Sequence, residues 1–177
     1  MRDLPVAVVD GVREFVIVSG AGALEVDDLR RFDLALLGWS GSPVHIRSIA
    51  KALDRVTSGE MDYLVVRAPT GEPIAKGGID YRDGHGPGKL WQLATHPELR
   101  SLGIGTVLIG ALENRIRSRG IPAAWLGVEV NNPRASALYQ RLGYRPFANE
   151  NARWEAQDEN GNTFWYETDL VLMRRRL

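Results

Sequence analysis

Leu93-Ala94-Thr95-His96-Pro97-Glu98-Leu99-Arg100-Ser101-Leu102-Gly103-Ile104-Gly105-Thr106-Val107-Leu108 is the stretch whose reading decides the fold. Its first residues end a strand-like run from Lys89 to Thr95, and its middle is a turn carrying Arg100, Gly103 and Gly105. Its end opens a helix in which Ile104, Val107, Leu108, Ala111, Leu112 and Ile116 recur at helical spacing up to Gly120. No Ser, Thr, Asp or Asn stands in the usual capping place, so the first backbone N–H groups of this helix lack an obvious side-chain acceptor. Glycine admits close backbone approach, the helix N-terminus carries roughly half a positive charge, and Arg100 adds a full one. The turn reads as an anion cradle suited to a pyrophosphate.

Other readings of the turn are a dinucleotide-binding turn, a Walker-type loop and a tight turn without a ligand. The first would place G-x-G-x-x-G directly after the strand; here Leu108 holds the third glycine position and His96 to Leu102 intervene, although Glu129 lies near the end of the next strand. A Walker-type loop is excluded, because no Gly-Lys-Ser/Thr follows.

Outward from the turn, Glu14 to Ser19 is a short β-branched run stopped by Gly20 and Gly22. Asp27 or Asp28 is placed to cap a helix through Leu29, Phe32, Leu36 and Leu37, and a second helix spans about Val44 to Val56. Met61 to Arg67 and Pro73 to Tyr81 form a hairpin about Pro69, Thr70 and Gly71. Ala123 to Val130 is a strand and Pro133 to Leu142 a short helix closed by Gly143. Arg153 to Gln157 and Thr163 to Met173 are strands flanking the turn cluster Asp158 to Asn162. The expected architecture is an α/β (α+β) domain over residues 1–177, with a mixed, mostly antiparallel central sheet flanked by about four helices.

Composition narrows the function. Of 177 residues, 44% are hydrophobic and 25% charged, as in a soluble globular domain. The 22 basic residues balance 22 acidic ones, so no polybasic footprint points to nucleic acid or an anionic membrane. Cysteine is absent, which excludes disulfides, thiolate metal sites and a cysteine nucleophile, and suits a reducing cytoplasm; no metal is expected. Met1 to Val12 mixes Arg2, Asp3 and Asp10 among its apolar residues, and no run approaches the roughly 18 to 20 apolar residues of a membrane span, so neither a signal peptide nor an anchor is expected.

Arg100-Ser101-Leu102-Gly103-Ile104-Gly105 resembles the R/Q-x-x-G-x-G/A signature of the GNAT acyltransferase superfamily, whose members take an acyl group from coenzyme A. Val128-Glu129-Val130-Asn131-Asn132-Pro133-Arg134-Ala135, followed by Leu138-Tyr139 and Leu142-Gly143-Tyr144, resembles the second half-motif of that family. The two blocks stand in the family's β-α-β-α order and cover about Leu90 to Phe147. The resemblance implies an acetyl-CoA-dependent N-acetyltransferase acting by direct transfer on an amine of a small molecule or peptide, as a monomer or a homodimer. The alternative is a non-catalytic acyl-CoA-binding module of the same fold; a nucleotide-binding oxidoreductase is a third.

By this resemblance Arg100, Leu102, Gly103, Ile104, Gly105 and Thr106 hold the cofactor's phosphates, and backbone groups around Leu93 and Thr95 pair with the pantetheine arm like an added strand. Asn132, apt as an N-cap before Pro133, matches the Asn that contacts the same arm. Tyr139 matches the acid that protonates the departing thiolate, against a plain reading as a core aromatic. A lysine-like amine of pKa ~10.4 is neutral about once in a few thousand molecules at pH 7, so a base matters. The glutamate that some members place five residues before the Asn is here Gly127. Glu129 is the nearest carboxylate and His96 a second candidate, each equally readable as a plain surface residue, while Gln92 could only orient a water.

Charge is unevenly distributed. Asn149 to Asp169 carries a net −5, and Glu98 to Arg119 a net +2, which suggests an anionic cofactor near the basic block and a cationic amine near the acidic one. Trp39, Trp154 and Trp165 are candidates for an aromatic acceptor slot or for packing.

Overall fold

In chain order, the strand-forming runs of the first half pair with their immediate neighbours. The computed structural model describes residues 6–9, 13–18 and 22–177. Strands β1 (Val6–Val9), β2 (Arg13–Val18), β3 (Gly22–Asp28), β4 (Met61–Arg67), β5 (Pro73–Asp80) and β6 (Lys89–Thr95) form an antiparallel meander. Helix α2 (Ile104–Ser118) then crosses to β7 (Ala123–Glu129), which pairs parallel with β6. Helix α3 (Pro133–Arg141) leads to β8 (Arg145–Gln157) and β9 (Thr163–Arg176), and β9 inserts between β7 and β8. The sheet order is β1-β2-β3-β4-β5-β6-β7-β9-β8, mixed and mostly antiparallel, as expected.

One core lies between the sheet and α2, where the stripe Ile104, Val107, Leu108, Ala111, Leu112 and Ile116 is buried against Leu64, Val66, Ile79, Leu90 and Leu126. A second, smaller core lies on the opposite face beneath α1 (Pro43–Thr57), where Ile49 and Leu53 meet Met61, Tyr63 and Val65. No helix among the described residues is long and apolar enough to cross a membrane.

The segment before α1 differs from expectation. Asp27 and Asp28 do not cap a helix; they end β3, opposite Val65 and Leu64 of β4, and Gly22 opens that strand. Ser19 and Gly20 lie outside the described residues. The expected helix is a 3-10 helix, Arg31–Leu36, so among the described residues the sheet is flanked by this segment and three α-helices, about four helices as expected. Its apolar spacing misleads because Phe32 and Leu36 face solvent while only Leu29 and Leu37 are buried. The anchor is electrostatic: Asp33 accepts the backbone N–H of Arg30 at 2.9 Å and two guanidinium bonds from Arg67 at 2.8 and 3.0 Å, in a fully buried position.

The terminal hairpin is longer than its propensities indicate. Its turn, Asp158 to Asn162, is as read, with Asp158 accepting the N–H groups of Asn160 and Asn162. β8 starts at Arg145 rather than Arg153, because pairing with β9 recruits a segment holding Pro146, Asn149 and Asn151. The proline is tolerated on this edge strand, at an irregularity between Pro146 and Ala148.

Removing one partner of a buried ion pair leaves the other charge uncompensated. Asp33→Ala should therefore destabilise the fold by about 3 kcal/mol, read from the urea midpoint at constant m-value; a loss under about 1 kcal/mol would show that the pair does not anchor the segment.

Candidate functional site

Strands β6 and β7 pair only at Lys89 with Trp125 and Leu90 with Leu126, then part. The cause is a bulge: Lys76 of β5 faces Ala94 and Gly78 faces Trp91, so Gly77 alone opposes both Gln92 and Leu93. Gln92 sits at φ +50°, a left-handed conformation costly for a residue with a Cβ. Two glycines make room for it. A Cβ on Gly77 would stand 2.5 Å from the Leu93 side chain, and one on Gly78 would stand 2.5 Å from the Trp91 indole nitrogen. Past the bulge β6 has no partner on its β7 side among the described residues, so its backbone edge opens into a cleft.

A cavity of about 590 Å³ occupies this cleft between β6, the first turn of α2, and α3. Leu93, Thr95, Arg100, Gly103, Ile104, Gly105 and Thr106 line it, with Asn132 and Tyr139 from the opposite wall. Leu102 does not; its side chain is exposed. Ser101 at φ +68° and Gly103 at φ +86° turn the chain into α2, whose N-terminus has no side-chain cap. A Cβ on Gly105 would meet nothing closer than Thr95 Oγ1 at 3.5 Å, so the glycine leaves open space above the helix. These features fit a pyrophosphate: open backbone donors, a helix N-terminus and cationic side chains.

Of the arginines of the basic block only Arg100 lines the cleft. Arg115, Arg117 and Arg119 lie at the far end of α2, about 20 Å away at 1.5 Å per residue, and pair there with Asp28, Glu113 and Asp62. Arg134 and Arg141 of α3 take their place, and Arg134 donates to Ser101 Oγ at 2.7 Å, tying the two motif blocks together. The sequence signal was Pro133 at the first helical position, which puts Arg134 in the first turn of α3.

A second cavity, about 770 Å³, lies between α1, the parted strands and the hairpin. It shares Leu93, Asn132, Ala135 and Tyr139 with the first, so the two meet at the tyrosine. Burial pushes the Tyr139 phenol up to about 12, and it remains protonated at neutral pH. Asn132 Oδ1 accepts the Ala135 N–H at 3.1 Å, so it is an N-cap at the rim of both cavities.

Glu129 lines the second cavity, its carboxylate accepting the Tyr166 hydroxyl at 2.8 Å. His96 lies outside both cavities, half-buried with its ring 5.4 Å from that of Trp39. Of the three tryptophans only Trp154 lines the acceptor side; Trp39 donates to the Pro73 carbonyl at 3.2 Å, and Trp165 is exposed beneath the Arg153 guanidinium.

The cluster behind the second cavity was not anticipated. Lys76 is fully buried, with Nζ 2.9 Å from His45 Nε2, 2.8 Å from the Gln92 carbonyl and 3.3 Å from the Tyr63 hydroxyl. Tyr63 donates to Gln92 Oε1 at 3.0 Å, and Gln92 Nε2 to Ser48 Oγ at 2.8 Å, so this amide holds the bulge in place. Burial pulls Lys76 down to about 7; burial and then the Lys76 charge pull His45 down to about 4. The available signal was a lysine inside Ile74-Ala75-Lys76-Gly77-Gly78-Ile79, a run otherwise built for burial.

Comparison with known proteins supplies a family. Residues 32–144 match the model of the acetyltransferase (GNAT) family. The fold is similar to the ribosomal-protein-S18-alanine N-acetyltransferase of Escherichia coli, at 18% identity over 86% of this chain and 93% of that one, TM-score 0.66. It is also similar to a ribosomal-protein-alanine N-acetyltransferase of Brucella melitensis (19%, 86% and 99%, TM-score 0.67). A third is a phosphinothricin acetyltransferase of Sinorhizobium meliloti solved with AcCoA (19%, 86% and 87%, TM-score 0.62).

The lowered pKa values carry a sign for stability. Between about pH 7 and pH 10 the unfolded chain holds a proton on Lys76 that the folded chain does not, so this lysine's contribution to stability rises with pH across that window. His45 behaves likewise between about pH 4 and 6.5. Relative to wild type, Lys76→Met should therefore be most favourable below pH 7 and lose that advantage toward pH 10, as measured by urea unfolding at a series of pH values. A pH-independent difference would contradict a neutral buried lysine.

Proposed function

The chain belongs to the GNAT acetyltransferase family, and from that premise we propose that it moves an acetyl group from acetyl-CoA directly to an amine of a small molecule or peptide. The observation that carries this reading is the junction of two cavities at Tyr139, one ending in a cationic glycine turn and the other in a half-apolar pocket with Glu129, Glu150, Glu155 and Trp154.

Bound acetyl-CoA would supply the electrophilic thioester carbonyl. The backbone of Gly103 to Thr106, with Arg100, Arg134 and Arg141, would hold its pyrophosphate, and the free edge of β6 from Leu93 to Thr95 would take the pantetheine amides as an added strand. Asn132 would line the arm beside them.

Tyr139 stands where acyl donor and acceptor would meet. A phenol at about 12 is a weaker acid than an ordinary thiol at ~8.5. Its role is therefore to hold a hydrogen bond to the departing sulfur, which strengthens as charge develops there. Glu129, already hydrogen-bonded to Tyr166, serves as an anionic wall that attracts a protonated amine.

Calorimetry should show saturable coenzyme A binding, lost in the double variant Arg100→Glu, Gly103→Asp with circular dichroism unchanged; wild type without binding at millimolar ligand overturns the proposal. In a thiol-release assay across amine classes, Tyr139→Phe should lower kcat by about 10- to 100-fold and leave coenzyme A affinity intact. Unaltered turnover would remove the tyrosine from the chemistry.

A further inference from the structure

Acyl transfer needs an amine that has lost its proton; Gly127 has no side chain, and the Glu129 carboxylate already accepts the Tyr166 hydroxyl. On the opposite wall of the acceptor cavity, His45 stands in the first turn of α1 with Lys76 directly behind it. We infer that His45 and Lys76 act as a proton-accepting pair for the acceptor, His45 facing the amine and Lys76 positioned behind it as the reservoir. The inference rests on the acyltransfer reading above and names a base for it.

With Lys76 neutral, its two hydrogens serve the Gln92 carbonyl and the Tyr63 oxygen, and its lone pair accepts His45 Nε2–H. With Lys76 protonated, the same three contacts persist, with all three hydrogens donated and Nε2 now accepting. Both states keep every bond of the cluster, so gaining a proton requires no rearrangement of heavy atoms. His45 Nδ1, with no partner in the chain among the described residues, is the end of the relay left for a ligand.

The step balances. An acceptor ammonium gives one proton to Nδ1, Nε2–H passes to Nζ, and the products are a neutral amine, the other histidine tautomer and a Lys76 ammonium. The lone pair released on nitrogen then forms the C–N bond as the C–S bond breaks, the second proton of that nitrogen passes to the departing thiolate to give the amide and the coenzyme A thiol, and the proton on Lys76 returns through His45 to solvent after turnover. Burial holds Lys76 at about 7, within reach of a proton at physiological pH, while His45 at about 4 relays without retaining it.

The surrounding charges do not replace the pair. Tyr63, on β4, is raised by burial and stays protonated. Of the groups lining the cavity, Glu150 bonds His85 at 3.1 Å and Lys89 bonds Asp83 at 2.8 Å, while Arg47 and Lys51 on α1 and Glu155 on β8 complete its charged lining.

The first measurement needs no activity. The chain has three lysines, Lys51, Lys76 and Lys89, so ε-carbon-labelled lysine in the full-length protein gives a signal for Lys76 identified by its loss in Lys76→Met. That signal should titrate near neutrality and shift in His45→Gln; titration above pH 10, as for a solvated lysine, overturns the inference.

The second is the pH profile of kcat/KM with an amine that wild type acetylates. It should rise with pH through the Lys76 titration, and His45→Gln and Lys76→Met should each lower it about 100-fold at pH 7. The deficit should shrink toward pH 10 as the amine deprotonates unaided, and the double variant should be no worse than either single one. Coenzyme A affinity should be unchanged in His45→Gln, which leaves the Lys76 bond to the Gln92 carbonyl in place. His45→Gln tests the relay at a half-buried position should Lys76→Met fold poorly. Variants within threefold of wild type at every pH, with coenzyme A binding and turnover intact, overturn the pair alone; a wild-type chain that binds no coenzyme A overturns the reading beneath it.

Discussion

The carbonyl of Gln92 accepts its hydrogen bond from Nζ of a buried lysine on the neighbouring strand. That contact, with the Tyr63 and Ser48 bonds to the Gln92 amide, holds a left-handed residue inside a β-strand. The bulge is what lets β6 turn away from β7 after only two paired residues. Without that divergence the parallel pair would close as an ordinary ladder, and the cleft, the free strand edge and the meeting of two cavities at Tyr139 would all be lost. A backbone irregularity costing of order 1–3 kcal/mol persists here because Gly77, Gly78 and three polar side chains over-determine it.

Charge is organised around that cleft more locally than the distribution along the chain implies. The arginines of the α2 C-terminus complement the helix dipole and pair with Asp28, Asp62 and Glu113, which makes them structural. The cleft draws its cations instead from the turn and from α3, brought together by folding: Arg100, Arg134 and Arg141. The acceptor side keeps its carboxylates, but two of them are already hydrogen-bonded, Glu129 to Tyr166 and Glu150 to His85, so they shape a field more than they offer bases.

What could be read from the residues was whatever short-range physics decides. The α2 stripe, the uncapped N-terminus at Gly103, the strand Lys89–Thr95 and the loop Asp158–Asn162 depend on spacing and turn chemistry within a few residues, and all appear where expected. Hidden features depend on partners far along the chain. Asp33 is held by Arg67, so a run with helical spacing becomes a 3-10 turn. β8 reaches back to Arg145 because β9 is there to pair with it. Lys76 is 31 residues from His45 and 16 from Gln92, and no local pattern foretells that three elements converge on one nitrogen.

The glycine at position 127 gives this arrangement its logic. A Cβ there would stand 2.9 Å from the Leu170 side chain, so the wall that β7 presents to the acceptor is closed by packing against β9, and even the smallest side chain would force Leu170 to move. Position 127 thus offers no proton acceptor, and on the same strand the Glu129 carboxylate already accepts the Tyr166 hydroxyl. The helix α1 side offers a position where a titratable ring lines the cavity and a second titratable group stands directly behind it. A carboxylate base exposed at the cleft would gain and lose its proton by exchange with solvent water. A lysine behind a histidine does so through one connected path, and the same nitrogen that stores the proton also holds the bulge that opens the cleft. Chemistry and architecture are thereby tied to a single buried atom.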